Sequence, residues 1–183
     1  MFNYPDKYIF VKKNVLSKHQ CNQIITYIEE SKNTVALSSN SYYYGFSCSV
    51  TSTPHNFLVE SLTKNINEYV KKHNFLNVIG NSYSSWGIED KYNLQKYFPG
   101  QSYSGEHMEN GKDSTTSKRL LAWMFYLNNI YDGGQTYWPQ QNFKKNAREG
   151  DLCIWPSSWT HSHYGIVSKK ETKYIVTGWC SFL

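Results

Sequence analysis

Apolar positions recur at two different spacings along the chain, helical in the first third and strand-like after it. Tyr8-Ile9-Phe10-Val11 is a short β-type run. Ser17 is a good helix N-cap, with Gln20 three residues later at capping-box spacing. Cys21, Ile24, Ile25 and Ile28 then repeat at helical intervals and predict one buried face, with Lys32-Asn33 ending the helix. Residues 34–53 are rich in Ser, Thr and Tyr around Gly45 and read as strand, mobile loop, strand. Thr53-Pro54 predicts the start of a second helix with Pro at its first position. Phe57, Leu58, Leu62, Ile66 and Val70 form its apolar stripe.

After Gly80 the pattern changes to short apolar or alternating runs at 92–97, 119–127, 135–138, 151–155, 161–167 and 173–180. Turn signals separate them: Pro99-Gly100, Asn110-Gly111, Asp132-Gly133-Gly134, Glu149-Gly150 and Pro156-Ser157-Ser158. Short strands at this spacing predict a sandwich or barrel. Residues 119–127 (RLLAWMFYL) lack a period of two and are read as a strand buried on both faces. The fold class expected is mainly β with flanking helices, the N-terminal helices packed on one sheet. One domain over 1–183 is expected, with a helical support region at about 15–75 and a β core at about 80–181.

Composition narrows this picture modestly. At 183 residues a sizeable core can form. No run of about 18 apolar residues is present to span a membrane, and the N-terminus lacks the long apolar stretch of an export signal. Cys21, Cys48, Cys153 and Cys180 are scattered without a CxxC pair, which argues against a zinc ribbon or a disulfide framework and for a reduced cytoplasmic setting. The net charge of +5 comes from dispersed lysines and reads as a solubility feature, with only weak support for a nucleic-acid partner. Aromatic residues make up 17% and can fill a core or line a cleft.

Candidate chemistry centres on His107-Met108-Glu109. On an extended strand, residues two apart share a face, so one imidazole and one carboxylate can grip one metal ion. A histidine from a distant strand would complete three ligands on one side and leave open positions opposite, as non-haem Fe(II) sites require. His161 and His163 are also two apart, so parity does not choose between them. The HxH could instead belong to a cupin-like site, but Val167 and Ser168 stand where a cupin places its glutamate. His19, His55 and His73, beside polar neighbours in the helical stretches, read as surface residues. After a turn near 168–171, an antiparallel strand would carry Lys173 beside the strand bearing His163, with Ile175, Thr177 and Trp179 on the face of Lys173. A lysine aimed into an apolar interior needs an anionic partner, and a bound dicarboxylate would serve.

Read together, ordered motifs from about Leu94 to Trp179 resemble the prolyl 4-hydroxylase-type Fe(II)- and 2-oxoglutarate-dependent dioxygenases, notably the short phage and bacterial forms. The likeness extends more weakly to Leu16–Glu29. The motifs are Tyr97 with Pro99-Gly100, His107-x-Glu109, Arg119-Leu120 leading to Tyr126-Leu127-Asn128, and Gly133-Gly134-x-Thr136. Gly150-Asp151 leading to Trp155-Pro156, His163-x-Gly165 and Lys173-Tyr174 leading to Trp179 complete the series. The resemblance implies a double-stranded β-helix (jelly roll, cupin-like). It implies His107, Glu109 and His163 as iron ligands, the gap to Lys173 selecting His163. It implies Lys173 and Tyr126 on the distal carboxylate of 2-oxoglutarate, Tyr97 and Thr177 lining that pocket, and Trp179 beside the ligands. The implied cofactors are Fe(II), 2-oxoglutarate as cosubstrate and O2, with ascorbate as a candidate addition. The implied reaction is hydroxylation of a C–H bond, first of all in a peptidyl proline, with release of succinate and CO2. A peptide or protein substrate is the partner expected, in the cytoplasm (of a host cell, if phage-encoded). Alternatives are the same chemistry on a nucleobase, free amino acid or small metabolite, or a binding-only jelly roll. Segment 38–53 could close over a peptide or form a surface hairpin. The family's usual carboxylate ligand is aspartate, and glutamate is a departure from it.

Overall fold

Two strands, Arg119–Tyr126 and Lys173–Phe182, lie side by side at the middle of the fold. The computed structural model describes residues 7–31, 35–37, 43–74 and 85–183. In chain order its elements are β1 (Phe10–Lys12), α1 (Lys18–Glu30), β2 (Val35–Leu37), β3 (Tyr43–Ser49), α2 (Asn56–His73), β4 (Trp86–Ile88), β5 (Lys91–Tyr97) and β6 (Arg119–Tyr126). β7 (Thr136–Trp138), β8 (Phe143–Lys145), β9 (Leu152–Pro156), β10 (Tyr164–Gly165) and β11 (Lys173–Phe182) follow.

An eight-stranded antiparallel sheet runs β1-β9-β6-β11-β5-β3-β2, with β4 also paired to β11. A smaller sheet, β10-β7-β8, faces its inner side. This is the expected jelly roll with flanking helices, and side-chain alternation explains its layers. On β6, Leu121, Trp123 and Phe125 join the layer of α1 and α2, whose Ile24, Ile28, Leu58 and Leu62 are fully covered. Ala122, Met124 and Tyr126 point the other way, into a second core with Trp138, Cys153, Trp155 and Ile175. Both faces are therefore apolar, which is why the run at 119–127 lacks a period of two. A Cβ on Gly178 would lie 2.3 Å from the Trp123 ring, so only glycine fits beside that indole.

Ser17 caps α1 with the full capping box: Gln20 N–H donates to Ser17 Oγ at 3.3 Å and Ser17 N–H to Gln20 Oε1 at 2.9 Å. Four expectations change. Pro54 precedes α2 instead of opening it; the N-cap is His55, whose N–H donates to Thr53 Oγ1 at 3.0 Å. His55 and His73 are buried, not on the surface, because their rings pack against Tyr27 and Phe57, and against Tyr8 and Tyr69. Of the run at 161–167 only Tyr164–Gly165 is strand, after a 3-10 turn at Trp159–His161. β11 pairs with β5, β6 and β4 in the large sheet, so Lys173 lies across from the strand bearing Tyr164, not beside it. The stretch at 34–53 contributes an antiparallel hairpin, β2–β3, at the sheet edge, with 38–42 outside the described residues. All four cysteines are free, and among the described residues no helix is long and apolar enough to cross a membrane.

Candidate active site

The segment after β5 carries His107 and Glu109, and hydrogen bonding fixes its path. His107 and His163 exchange both backbone bonds, at 3.0 and 2.9 Å, as an isolated antiparallel bridge. The N–H groups of Glu109 and Asn110 both donate to the Ser157 carbonyl, at 3.0 and 2.9 Å. Asn110 Nδ2 donates to the carbonyls of Ser117 and Arg119, closing the loop back onto β6. The site is thus an extended segment held by one bridge, not a regular strand.

Three donor atoms converge from these two segments. Glu109 Oε1 lies 3.6 Å from His107 Nε2 and 3.4 Å from His163 Nε2, and all three ligand atoms fall within 4.8 Å of one another. His107 Nδ1 is 2.9 Å from the Gly105 carbonyl and His163 Nδ1 is 3.1 Å from that of His161. Both carbonyls can only accept, so each ring carries its proton on Nδ1 and turns the lone pair of Nε2 toward the centre. Burial pushes the Glu109 carboxyl up, but the His107 and His163 side chains facing it outweigh burial and hold the group well below the usual carboxylate range. Neutral imidazoles and an ionised carboxylate are the forms that ligate a metal. His161 is directed elsewhere: its Nε2 is 2.9 Å from the Lys7 carbonyl and its Nδ1 3.0 Å from Thr160 Oγ1. The structure therefore brings His107, Glu109 and His163 together and leaves His161 out.

These residues line one side of a cavity of about 250 Å³ between the two sheets. Lys173, Tyr97, Thr136, Thr177 and Ile175 line another part of it. Lys173 is 8% exposed, and among the described residues no carboxylate pairs with its Nζ. Nζ stands over the rings of Tyr126 and Tyr97, 5.5 and 5.8 Å from their centroids. Desolvation, partly offset by Cys153, pushes its pKa down to about 8. A buried cation with no carboxylate partner among the described residues, in a cavity that the buried, unpartnered Ser102 hydroxyl also lines, fits an anionic ligand with polar oxygens. Tyr126 stands one layer back from the lining: its hydroxyl donates to Thr136 Oγ1 at 2.7 Å, and Thr136 faces the cavity. Thr177 Oγ1 donates to the Trp123 carbonyl at 2.9 Å.

Five further side chains surround the donors, and all but Trp179 escape a reading from spacing alone. Trp179 Nε1–H donates to Glu109 Oε2 at 2.7 Å. The Arg119 guanidinium lies 3.5 Å from the centroid of the Trp179 ring, with Nη1 3.8 Å from Glu109 Oε2 and Nε 3.2 Å from Glu89 Oε1. Trp138 and Trp155 pack on the His163 ring, at 5.8 and 5.0 Å between centroids. The face alternation of β11 foretells Trp179; nothing local foretells Arg119 or Glu89, which meet it from other strands.

Comparison with known proteins agrees with this geometry. The family model described as 2OG-Fe(II) oxygenase superfamily matches residues 92–181. No curated protein matches the chain by sequence. Among solved structures, the viral collagen prolyl hydroxylase of Paramecium Bursaria Chlorella virus-1, in its 2OG complex, is similar with TM-score 0.70 and 21% identity over 96% of this chain and 97% of that one. A prolyl-4-hydroxylase of Pseudomonas putida gives TM-score 0.72 and 14% identity over 95% and 92%. A Trichoplax adhaerens prolyl hydroxylase, in complex with a hypoxia inducible factor peptide fragment, gives 0.71 and 18% over 96% and 84%. Residues 92–181, from β5 to β11, match the model of the 2OG-Fe(II) oxygenase superfamily, on a jelly roll shared with these structures and with a His-Glu-His cluster in its cavity: this region is that of a 2-oxoglutarate-dependent dioxygenase with a prolyl 4-hydroxylase-like fold.

Proposed function

We propose that this chain hydroxylates a peptidyl proline, consuming 2-oxoglutarate and O2 and releasing succinate and CO2. The observation that carries the reading is one cavity lined both by the His107, Glu109 and His163 donors and by the buried Lys173, which has no carboxylate partner among the described residues. His107, Glu109 and His163 would hold Fe(II), which supplies chelation of a 2-oxo acid and activation of O2. Lys173 would meet the distal carboxylate of 2-oxoglutarate as a point charge, in a dry site where a charge-assisted hydrogen bond is strong. The Thr136 hydroxyl accepts from Tyr126 and donates to the Met124 thioether at 3.8 Å, a weak acceptor that a second carboxylate oxygen would displace, so Tyr126 would act through Thr136. Tyr97, Thr177 and Ile175 would flank the same molecule. Trp138 and Trp155 cover His163 and keep water from its back.

A peptide substrate is supported by likeness to structures named as a viral collagen prolyl hydroxylase and a prolyl hydroxylase in complex with a peptide fragment. Exposed Tyr103 and Met108 flank the ligand segment and could rest against such a chain. The test has two stages. Anaerobic protein with Fe(II) and 2-oxoglutarate is expected to develop the visible charge-transfer band of the chelated cosubstrate. Admission of air with a panel of proline-containing peptides is expected to add one oxygen atom to a peptide, read by mass spectrometry, with stoichiometric succinate. No band overturns the assignment of the cavity; a band without a modified peptide overturns only the substrate.

A further inference from the structure

We propose that the site is built for glutamate at position 109: Trp179, itself held by Arg119 and Glu89, is a positioning residue that fixes one oxygen of Glu109 so that only the other is offered to metal. The inference rests on the metal-site reading above and concerns how this chain's own residues meet the ion.

The two carboxylate oxygens have different neighbours. Oε1 faces both Nε2 atoms, at 3.6 and 3.4 Å. Oε2 takes the indole N–H of Trp179 at 2.7 Å and has the Arg119 Nη1 at 3.8 Å. A glutamate has one more rotatable bond than an aspartate, and a free carboxylate on it could turn to offer either oxygen or both. The indole bond removes that freedom, and the ordering is paid for by a hydrogen bond to a charged group, which is stronger than a neutral one. Trp179 is in turn held from its face. Arg119 stacks on it at 3.5 Å, and the Arg119 Nε reaches Glu89 Oε1 at 3.2 Å, where the Ser181 hydroxyl also donates. Glu89 sits between β4 and β5, and its Oε1 takes Arg119 from β6 and Ser181 from β11.

The backbone at 109 is unable to follow a shorter side chain. Its N–H is bonded to the Ser157 carbonyl, its carbonyl accepts from Arg119 Nη1 at 3.3 Å, and the next N–H is also bonded to Ser157. Aspartate would retract the carboxylate by one C–C bond, about 1.5 Å. With the backbone pinned, it loses the indole or the place beside the two imidazoles. The ligand usual in the family is therefore the worse ligand here.

The test is a double-mutant cycle on metal binding, with Co(II) titrated anaerobically into the protein without 2-oxoglutarate and read by calorimetry and by its visible d–d spectrum. Outer partners of metal ligands typically contribute 10- to 100-fold in affinity. W179F is expected to weaken Co(II) binding by about 10-fold or more, and E109D by a similar factor. The E109D/W179F double variant is expected to lose little beyond either single change, because both remove the same indole–carboxylate bond. E109D binding Co(II) as tightly as the unmodified protein, or the two losses multiplying in full, overturns the proposal. E89Q provides a gentler variant should W179F misfold: it leaves every ligand in place and is expected to broaden the d–d bands and weaken binding severalfold, and an unchanged spectrum and affinity count against the clamp. Failure of the unmodified protein to bind Co(II) overturns the metal-site reading itself, and equal binding by all four proteins overturns the clamp alone.

Discussion

Replacing Lys173 with Met is expected to make the ligand-free protein more stable while removing its response to 2-oxoglutarate. The lysine stem is buried between Tyr97 and Tyr126, and Met fills a similar volume without a charge. The cost of keeping the ammonium there follows from its pKa. At about 1.4 kcal/mol per pH unit, a fall from the ordinary 10.5 to about 8 amounts to roughly 3 kcal/mol at pH 7. K173M is therefore expected to gain about 2–3 kcal/mol in urea denaturation followed by tryptophan fluorescence, or roughly 5–10 °C in Tm for a chain of this size. The pH dependence has a definite sign. Between about 8 and 10.5 the unfolded chain holds the lysine proton and the folded one has released it, so unmodified protein becomes more stable as pH rises through that window. The advantage of K173M should shrink there. Saturating 2-oxoglutarate, at a hundred times its Kd, should add about 2.7 kcal/mol to the unmodified protein and next to nothing to K173M. A K173M protein less stable than its parent at pH 7 without ligand, or a gain that ignores pH, would refute the buried uncompensated cation.

Two further outcomes follow from geometry already described. H163A is expected to abolish Co(II) binding, whereas H161A keeps it and instead loses about 1–3 kcal/mol of stability by orphaning the Lys7 carbonyl; metal lost only from H161A would move the ligand there. G178A is expected to cost about 1–3 kcal/mol or more, measured by urea unfolding, because its Cβ meets the Trp123 ring at 2.3 Å; no change in midpoint would mean that the indole has room to move.

How far the chain could be read beforehand depends on whether a signal is local. The Ser17–Gln20 box and the apolar stripe of α1 involve residues a turn apart, and the helix forms where they place it. The parity of Lys173, Ile175, Thr177 and Trp179 also survives, because alternation is a property of one strand. Partnership between strands is not local, so the pattern puts Lys173 beside the His163 segment whereas it pairs with Tyr97 on β5. β4 and β8, three residues each, carry too little pattern to stand out. His55 and His73 were misplaced because a neutral imidazole packs like an aromatic ring while pattern reading counts it as polar. Spacing alone left His161 and His163 equal; the resemblance favoured His163, and the Lys7 carbonyl supplies the physical reason that His161 is occupied elsewhere. Arg119 and Glu89 were invisible as site neighbours, since they are thirty residues apart and meet only across the sheet.

β11 is the latest strand of the large sheet in sequence, yet it lies between β5 and β6 in space. Until it is inserted, β5 and β6 present two bare inner edges with no partner for their N–H and C=O groups. During synthesis the chain therefore carries a split, aggregation-prone half-sheet for as long as residues 173–182 are missing, and the lysine and indole of the cavity arrive with the same strand that closes it. Assembly of the barrel and acquisition of a working site are then one event, so a molecule caught short of that step would have neither a closed core nor a place for its cosubstrate.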